Sequence, residues 1–357
     1  MKIQGWGFGM ITTVLLGVAA PAWSEPGITD SEILIGSCSA LAGPASFLGT
    51  QTVQGAQAYL YHVNDQGGVH GRKIKLVAYD DSYEPAKAIE CFTQLKQENV
   101  FATGFFVGTP TAAKHIVMAE NTKIPIIGLF TGAQMLHEPF KRYVVNVRAS
   151  YYDETREQVD NLWAMGIRKI GVIYQDDAFG VAVLEGVKRA LAKYNSAPVA
   201  QGSFPRNTLD VDKSIEMVRA AAPDAVVMVG PYAPIAEIVK KGRGANWNPI
   251  YLTVSFVGTE AFIKAAGKAG DGTVITQVVP PVSRDDLPTV SLYNKALKKY
   301  FPDATPNFVS LEGFVDAMVL VEGLKRAGHD ITREKLIDAI ESINDFNMNG
   351  TDLRFYG

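Results

Sequence analysis

The sequence predicts an α/β protein built from two doubly wound parallel-sheet lobes joined by a hinge. Short apolar runs of strand length alternate with segments of helical periodicity over the first 130 residues, and the same alternation returns from residue 168 to about residue 278. Alternating strands and helices favour a parallel sheet with right-handed crossovers. A chain of 357 residues is also too long for one ordinary domain.

The first half should contain four strands and three helices. We expect strands over 33–36, 73–79, 102–107 and 124–130, and helices over 48–64, 85–98 and from 109 onward. Gln66-Gly67-Gly68 is typical of a helix end, and Pro85 is typical of a helix start.

The second half repeats this pattern and ends in helices. We expect strands over 168–174, 199–204, 225–229, 250–254 and 272–278, and helices over 180–193, 211–221, 233–243 and 259–266. Tyr79-Asp-Asp-Ser in the first half is echoed by Tyr174-Gln-Asp-Asp in the second, which fits two similar units. Residues 281–288 form a connector, and the helices over 289–300, 308–327 and 332–342 have no strand of their own and should cover a sheet face.

The N-terminal residues have the pattern of a secretory signal. Lys2 precedes an apolar stretch from Phe8 to Ala20, and small residues precede a predicted cleavage site after Ser24. A membrane anchor is disfavoured, because a spanning helix needs about 20 apolar residues. We therefore expect an exported, periplasmic protein with a signal peptide over 1–24, one lobe over 25–149 plus about 281–345, and a second lobe over 150–280 plus the tail 346–357.

Composition and motifs exclude several classes of function. The net charge of −3, the pI of about 6.0 and the absence of a basic run argue against nucleic acid as a partner. The five histidines lack metal-ligand spacing, and no nucleophile elbow, P-loop or dinucleotide motif occurs. We expect no metal, no cofactor and no enzymatic activity. Cys38 and Cys91 could form a disulfide outside the cytosol or remain separate buried thiols.

Two predicted helix starts at strand ends could hold an anionic group. Thr109, as the helix cap before Pro110, and Thr131-Gly132-Ala133 each follow a strand and would expose amides and a hydroxyl. Open parallel sheets bind ligands outside the carboxyl ends of their strands. Aromatic residues at predicted loop tips could line the same cleft: Tyr151, Tyr152, Phe179, Tyr232 and Phe256.

Several of these segments together resemble a known family. They are Ile35 to Pro44, Gly49, Gly55-Ala56, Val63-Asn64, Gly67-Gly68-Val-His-Gly71-Arg-Lys-Ile, and Tyr79-Asp-Asp81 with Pro85. The chain is similar over roughly 28–345 to the periplasmic leucine/isoleucine/valine-binding proteins, receptors of ABC importers with the type I binding-protein fold. The resemblance implies two lobes, a hinge of a few crossings and an amino acid held between the lobes. It also implies a further strand or two beyond Gly357.

The resemblance places ligand-binding residues by position. It implies carboxylate-holding groups at Gly108, Thr109, Phe130, Thr131 and Gly132, aromatic contacts at Phe179 and Tyr232, and Leu48 at a position usually aromatic. The acid that receives the ligand ammonium should fall near Ser255, where this chain carries none. Asp153 or Asp177 could substitute, and with Tyr152 they complete the candidate set. A carboxylate, an amide or a keto acid are therefore alternative ligands.

The expected function is that of a monomeric receptor that captures a small amino-acid-like or carboxylate ligand and delivers it to an ABC permease in the inner membrane. Two alternatives remain open at this stage. One is a ligand sensor of the same fold, which neighbouring genes would distinguish. The other is an enzyme in the interlobe cleft, which turnover dependent on Asp153 or Asp177 would reveal.

Overall fold

The computed structural model describes residues 25–344 together with the backbone of two short paired strands, β11 (Phe346–Asn347) and β12 (Asp352–Leu353). The predicted signal peptide, residues 1–24, and most of the C-terminal tail lie outside the described residues.

The first lobe is a five-stranded parallel sheet in the order β2-β1-β3-β4-β5. Its strands are β1 (Glu32–Ser39), β2 (Lys73–Asp80), β3 (Ala102–Val107), β4 (Ile126–Phe130) and β5 (Val144–Val145). The helices that connect them are α1 (Ser46–Asp65), α2 (Pro85–Gln97) and α3 (Thr109–Thr122). The central strands β3 and β4 are buried along their whole length, as parallel strands covered on both faces require.

The second lobe repeats the same winding in the order β7-β6-β8-β9-β10. Its strands are β6 (Ile170–Asp176), β7 (Ala200–Pro205), β8 (Ala225–Val229), β9 (Ile250–Thr253) and β10 (Val274–Ile275). Its helices are α4 (Tyr151–Ala164), α5 (Ala178–Ala192), α6 (Asp212–Ala220), α7 (Tyr232–Gly244) and α8 (Thr259–Ala266). The chain crosses between the lobes after β5 and again after β10.

Three further helices pack against the first lobe. They are α9 (Pro288–Tyr300), α10 (Phe308–Arg326) and α11 (Arg333–Glu341), and they share a buried cluster with strands β1 and β3. Helices α1 and α10 cross so closely that a Cβ at Gly55 would lie 1.8 Å from the carbonyl oxygen of Ser310. Glycine is required there because only its missing side chain leaves room for the neighbouring backbone.

A disulfide ties the first lobe together. Cys38 of β1 and Cys91 of α2 are bonded, with their Cα atoms 5.9 Å apart, inside a second hydrophobic cluster of this lobe. The bond settles the choice between a disulfide and separate thiols that the sequence left open, because only the crossover of α2 over β1 brings the two residues together.

The structure corrects several expectations about elements. Helix α4 and the two-residue strand β5 were not predicted, and Tyr151 and Tyr152 lie in the first turn of α4 rather than in a loop. Phe179 and Tyr232 likewise lie in the first turns of α5 and α7, and Phe256 lies in a short 3-10 helix. The Ser150-x-x-Asp153 capping box is the local signal that marks the start of helix α4.

Two other expectations were also wrong. The strand predicted over 272–278 is only the two residues of β10. The Tyr-Asp-Asp echo is not between equivalent strands: the first copy ends β2, an edge strand of its sheet, whereas the second ends β6, which is equivalent to β1. The two wound units are similar in topology, but this short motif is not evidence for it.

Candidate ligand-binding cleft

The carboxyl ends of the two sheets face each other. Side chains that follow or end the strands of both lobes pack in one hydrophobic cluster. The members from the first lobe include Leu48, Tyr83, Val107 and Phe130, and those from the second include Tyr151, Phe179, Val229 and Phe256. This is the place where wound α/β sheets bind their ligands.

The ring of Phe256 lies at the centre of this interlobe cluster. Its centroid is 4.4 Å from that of Phe179 in its own lobe, and 5.5 Å and 6.1 Å from those of Phe130 and Tyr83 in the other lobe. Such separations are those of favourable edge-to-face and offset aromatic pairs. At one side of the cleft, the ring of Tyr232 contacts that of Phe47 across the lobes at 6.1 Å.

Tyr83 is a cleft residue that sequence reasoning missed. Its side chain is fully buried and lies against Gly108, where a Cβ would be 2.0 Å from Cε2 of Tyr83. Gly108 also has a φ of +98°, so both its conformation and its contact require glycine. Tyr83 lies two residues before helix α2, after the Asp80-Asp81 turn. This position gave no signal, because a tyrosine in a loop is usually a surface residue.

The hydroxyl groups of Thr109 and Thr131 meet at the ends of β3 and β4. Their Oγ1 atoms are 2.6 Å apart and both residues are buried. The expectation that Thr109 caps α3 is wrong, since Gly108 is the cap and Thr109 is the first helical residue. The Gly108 amide is not free either, because it donates to the carbonyl of Phe130 at 3.2 Å.

The segment after β4 differs from the expected helix start. Thr131-Gly132-Ala133 leads into a single 3-10 turn, Gln134–Leu136, and not into an α-helix. The Thr131 amide donates to the carbonyl of Leu129 at 2.7 Å, and the carbonyl of Gly132 accepts from the Tyr151 amide at 2.6 Å. The site therefore has one α-helix N-terminus, that of α3, with a buried hydroxyl pair beside it.

Three buried hydroxyls at the facing strand ends make no hydrogen bond of ordinary geometry to any described residue. They belong to Ser39, Tyr83 and Tyr151, and the hydroxyl of Thr253 at the end of β9 is a fourth of this kind. The Tyr83 hydroxyl lies near Gln175 of the opposite lobe, and the Tyr151 hydroxyl lies near Thr131 of the opposite lobe. Burial raises the pKa of both tyrosines above its ordinary value, so both hydroxyls keep their protons and can donate.

A buried ionic network lies at the first crossover between the lobes. Arg148 donates from Nη1 to Oε1 of Glu312 and from Nη2 to Oε1 of Glu154, both at 3.1 Å. The three side chains are only 2–5% exposed. Arg148 also donates to Ser255, and its guanidinium lies 5.1 Å from the centroid of the Phe130 ring. The network therefore joins the crossover, the first lobe through α10 and the second lobe through α4.

An acid does approach Ser255, although the local sequence lacks one. Oε2 of Glu154 accepts from the Ser255 amide at 2.8 Å and from the Thr276 hydroxyl at 2.5 Å. Sequence reasoning could not find it, because Glu154 is 101 residues away from Ser255. Its charge is already balanced by Arg148.

Burial favours the protonated, uncharged form of two further acids near Arg148. Burial raises the pKa of Glu312 to about 7, and it raises that of Asp316, one turn further along α10, well above its ordinary value. Burial lowers the pKa of Arg148, but the carboxylates of Glu312 and Glu154 outweigh this and hold it above its ordinary value. Arg148 is thus a fixed positive charge.

Two candidate residues lie outside this cluster. Tyr152 lies under the guanidinium of Arg189 at 5.3 Å, and Asp153 accepts from the Ser150 amide and pairs with Arg156 at 2.8 Å. They line a separate cavity of about 360 Å³. Asp177 caps α5, and its Oδ1 accepts from the amides of Phe179 and Gly180 at 2.9 and 3.1 Å.

These features define a class of protein: two hinged lobes of equal topology with a buried, hydroxyl-bearing aromatic cleft between them. Among the described residues no helix has the length and apolarity needed to cross a membrane, and no group of three or more potential metal ligands is found.

Comparisons with known proteins agree. The family model described as "Periplasmic binding protein" matches residues 32–356, and the chain belongs to this family. The predicted resemblance and the predicted two-lobed fold are confirmed.

Three proteins illustrate the relationship. A possible leucine/isoleucine/valine-binding protein from Rhodopirellula baltica is 35% identical, with a TM-score of 0.87 over 91% of this chain and 90% of that one. Leu/Ile/Val-binding protein homolog 7 of Brucella suis is 26% identical over 87% of this chain and 80% of its own length. A fatty acid ABC transporter substrate-binding protein from Thermomonospora curvata is 26% identical, with a TM-score of 0.84 over 93% and 86%.

Proposed function

We propose that this protein is the solute receptor of an ABC importer, which captures a small amino-acid-like or carboxylate ligand between its lobes and delivers it to a membrane permease. The observation that carries the proposal is the single buried cluster formed by the facing strand ends of both lobes, with unpaired hydroxyls inside it. Unpaired buried polar groups are costly unless a ligand or water satisfies them.

The geometry suggests how capture proceeds. A ligand docks first on the first lobe, at residues 108–111 and 130–132, where α3 begins beside the threonine pair. The second lobe then closes and brings Phe179, Tyr232 and the Ser255 network onto it. Contacts to both lobes exist only in the closed form, so the ligand shifts the open–closed equilibrium. Micromolar binding needs about −8 kcal/mol, which a few hydrogen bonds and an apolar wall supply.

Export, oligomeric state and chemistry belong to the same proposal. Residues 1–24 act as the signal peptide, and the mature chain works in the periplasm as a monomer. The names of two relatives indicate that one binds leucine, isoleucine or valine and the other a fatty acid. Both names support a role in solute uptake. The cleft binds without turnover: Asp177, the one enzyme candidate that follows a cleft strand, has its Oδ1 committed to two helix amides.

Titration calorimetry and solution scattering test the proposal together. Refolded, ligand-free protein lacking residues 1–24 is titrated with a panel of amino acids and organic acids, and scattering is recorded with and without each binder. We expect at least one micromolar ligand and a smaller radius of gyration in its presence. The absence of heat with every member, or an unchanged envelope with a bound ligand, would refute the proposal.

A further inference from the structure

A second cavity lies beside the interlobe cluster. Its volume is about 600 Å³, which is within the range of small-molecule sites. It is formed in the first lobe by helix α1 and by the segment 300–307 that joins α9 to α10, and in the second lobe by Glu260 of α8. Phe47 is the one lining residue that also packs against the interlobe cluster. A molecule in this cavity would therefore occupy a different space from a ligand in the cleft.

The lining of the cavity carries negative charge without a balancing cation. Glu260 and Asp303 both line it, and neither forms an ion pair with another described residue, whereas none of the described lining residues is a lysine, an arginine or a histidine. Lys299 lies over the ring of the lining residue Tyr300 at 4.8 Å, but it is already paired with Asp65 at 2.5 Å. A concave surface lined by charge of one sign attracts ions of the opposite sign.

Two acceptor atoms of the lining residues lack donors. Oε1 of Glu260 accepts from the amide of Phe308, the first residue of α10, at 3.1 Å. Oε2 of Glu260 and Oε1 of Gln54 are buried and receive no hydrogen bond from any described residue. Burial raises the pKa of Glu260 above its ordinary value, because desolvation outweighs the hydrogen bond from Phe308. A nearby ammonium group would offset this desolvation and supply N–H donors.

The rest of the wall includes aromatic rings that are held in place by their neighbours. The ring of Phe47 meets that of Tyr232 edge to face at 6.1 Å, and the ring of Phe301 stacks with that of Tyr61 at 6.0 Å. A cation near an aromatic face is attracted by the ring, and the same ring packs against a hydrocarbon chain. Acids, an unpaired amide oxygen and aromatic rings therefore suit a cation that carries an organic group.

From this arrangement we infer that the cavity is a second ligand site, which binds a small organic ammonium ion. Its charged group lies beside Glu260 and Gln54, and its hydrocarbon part lies against Phe47 and Phe301. The inference goes beyond the proposed function and does not depend on the ligand of the interlobe cleft or on a transport role.

Two matched pairs of compounds test the inference by titration calorimetry on the chain that lacks residues 1–24. One pair is 1,5-diaminopentane and 1,5-pentanediol, and the other is 2-phenylethylamine and 2-phenylethanol. Within each pair an ammonium group is replaced by a hydroxyl group. We expect at least one amine to bind with a submillimolar Kd and at least tenfold more tightly than its alcohol. Equal affinities within both pairs, or no binding of either amine, would overturn the inference.

A variant of Glu260 places the bound amine. Glu260→Gln removes the charge but keeps an oxygen that accepts from the Phe308 amide, and we expect the affinity for the amine to fall at least tenfold. Glu237→Gln is the control, because Glu237 is also half-buried in the second lobe but lies on α7 and pairs with Lys241, away from the cavity. It should bind the amine within twofold of the unaltered chain. Unchanged binding by Glu260→Gln would place the amine elsewhere and refute the assignment.

A variant of Asp303 provides a test that does not touch the contact between the lobes. Asp303 is exposed in the segment before α10, so Asp303→Asn should fold normally, as circular dichroism and melting curves would show. We expect a fall in amine affinity of about threefold, because solvent screens this charge. An unchanged affinity would contradict the inference even if Glu260→Gln did not fold. The receptor function is tested separately by the panel of amino acids and organic acids, so either proposal can fail while the other stands.

Discussion

The two lobes have the same strand order but contribute different chemistry to the cleft. The sheet orders β2-β1-β3-β4-β5 and β7-β6-β8-β9-β10 are identical when the strands of each lobe are counted from its own start. At the facing strand ends, the first lobe provides the hydroxyls of Ser39, Thr109 and Thr131 and the second provides that of Tyr151. Both lobes contribute aromatic rings, Tyr83 and Phe130 from the first and Phe179 and Phe256 from the second.

The lobes also differ in how they are held together. The first has the Cys38–Cys91 disulfide and three added helices, and the second relies on its own five strands and five helices. Between them lies the Arg148 network, which belongs to neither lobe alone. Two lobes with the same strand order can therefore carry different charges and covalent links.

The largest effect is expected where the two lobes share a buried charge. Arg148→Met leaves Glu154 without its cation in a buried site, and breaking a buried ion pair costs about 3–5 kcal/mol. Urea unfolding followed by circular dichroism measures the loss. The control is Arg142→Met, which removes an arginine that is 36% exposed and pairs with three acids on α11; exposed pairs contribute about 1 kcal/mol or less. An equal loss in both variants would contradict this account of the crossover.

Adjacent acids at the end of β2 should have opposite effects on the pH dependence of stability. The pKa of buried Asp81 is about 7 in the folded protein, against an ordinary value of 3.8. The folded chain therefore binds a proton that the unfolded chain releases, and stability falls as the pH rises from about 4 to about 7, by about 4 kcal/mol. Asp81→Asn should remove this decline, as unfolding curves at pH 4, 5, 6, 7 and 8 would show.

Asp80 is the control for that experiment. Burial raises its pKa, but hydrogen bonds from Ser82 and from the amides of Leu41 and Ala42 outweigh this and lower it. Asp80 contributes stability that is present above its unfolded pKa and is lost as the pH falls. Asp80→Asn should therefore destabilise the protein at neutral pH, and a change of the same sign in both variants would refute the assignment.

Removing the disulfide should affect one lobe only. The bond closes a loop with a sequence separation of 53 residues, and loss of such a link costs roughly 2–4 kcal/mol. In a Cys38→Ala/Cys91→Ala variant, hydrogen exchange should accelerate in β1 and α2 and stay unchanged in β6 and α5. Equal acceleration in both lobes would show that the lobes unfold as one unit.

The smallest effect is expected at the rim of the cleft. Arg206 of the second lobe donates to the carbonyl of Tyr83 at 2.6 Å and pairs with Glu84, both in the first lobe. Arg206→Met should weaken closure by about 1 kcal/mol or less, because the pair is partly exposed. Scattering should show a slightly larger radius of gyration without ligand. Lys193→Met, which breaks an ion pair with Asp160 inside the second lobe, should leave the radius unchanged.

The sequence by itself determined the two wound units and nearly all of their strands and helices. Periodicity, Pro85 and the glycines after α1 are local signals, and local backbone preferences act within a few residues. The strand ends that bear Thr109 and Thr131 could also be located in this way, since the winding rule places ligands there.

Only the tertiary structure decided which residues meet across the chain. Glu154 reaches Ser255 over 101 residues, Arg148 reaches Glu312 over 164, and Tyr83 reaches Phe256 across the cleft. No periodicity encodes such pairs, because they depend on the crossing of helices and the closure of one lobe on the other. The charge balance at the facing strand ends is set by these long-range contacts.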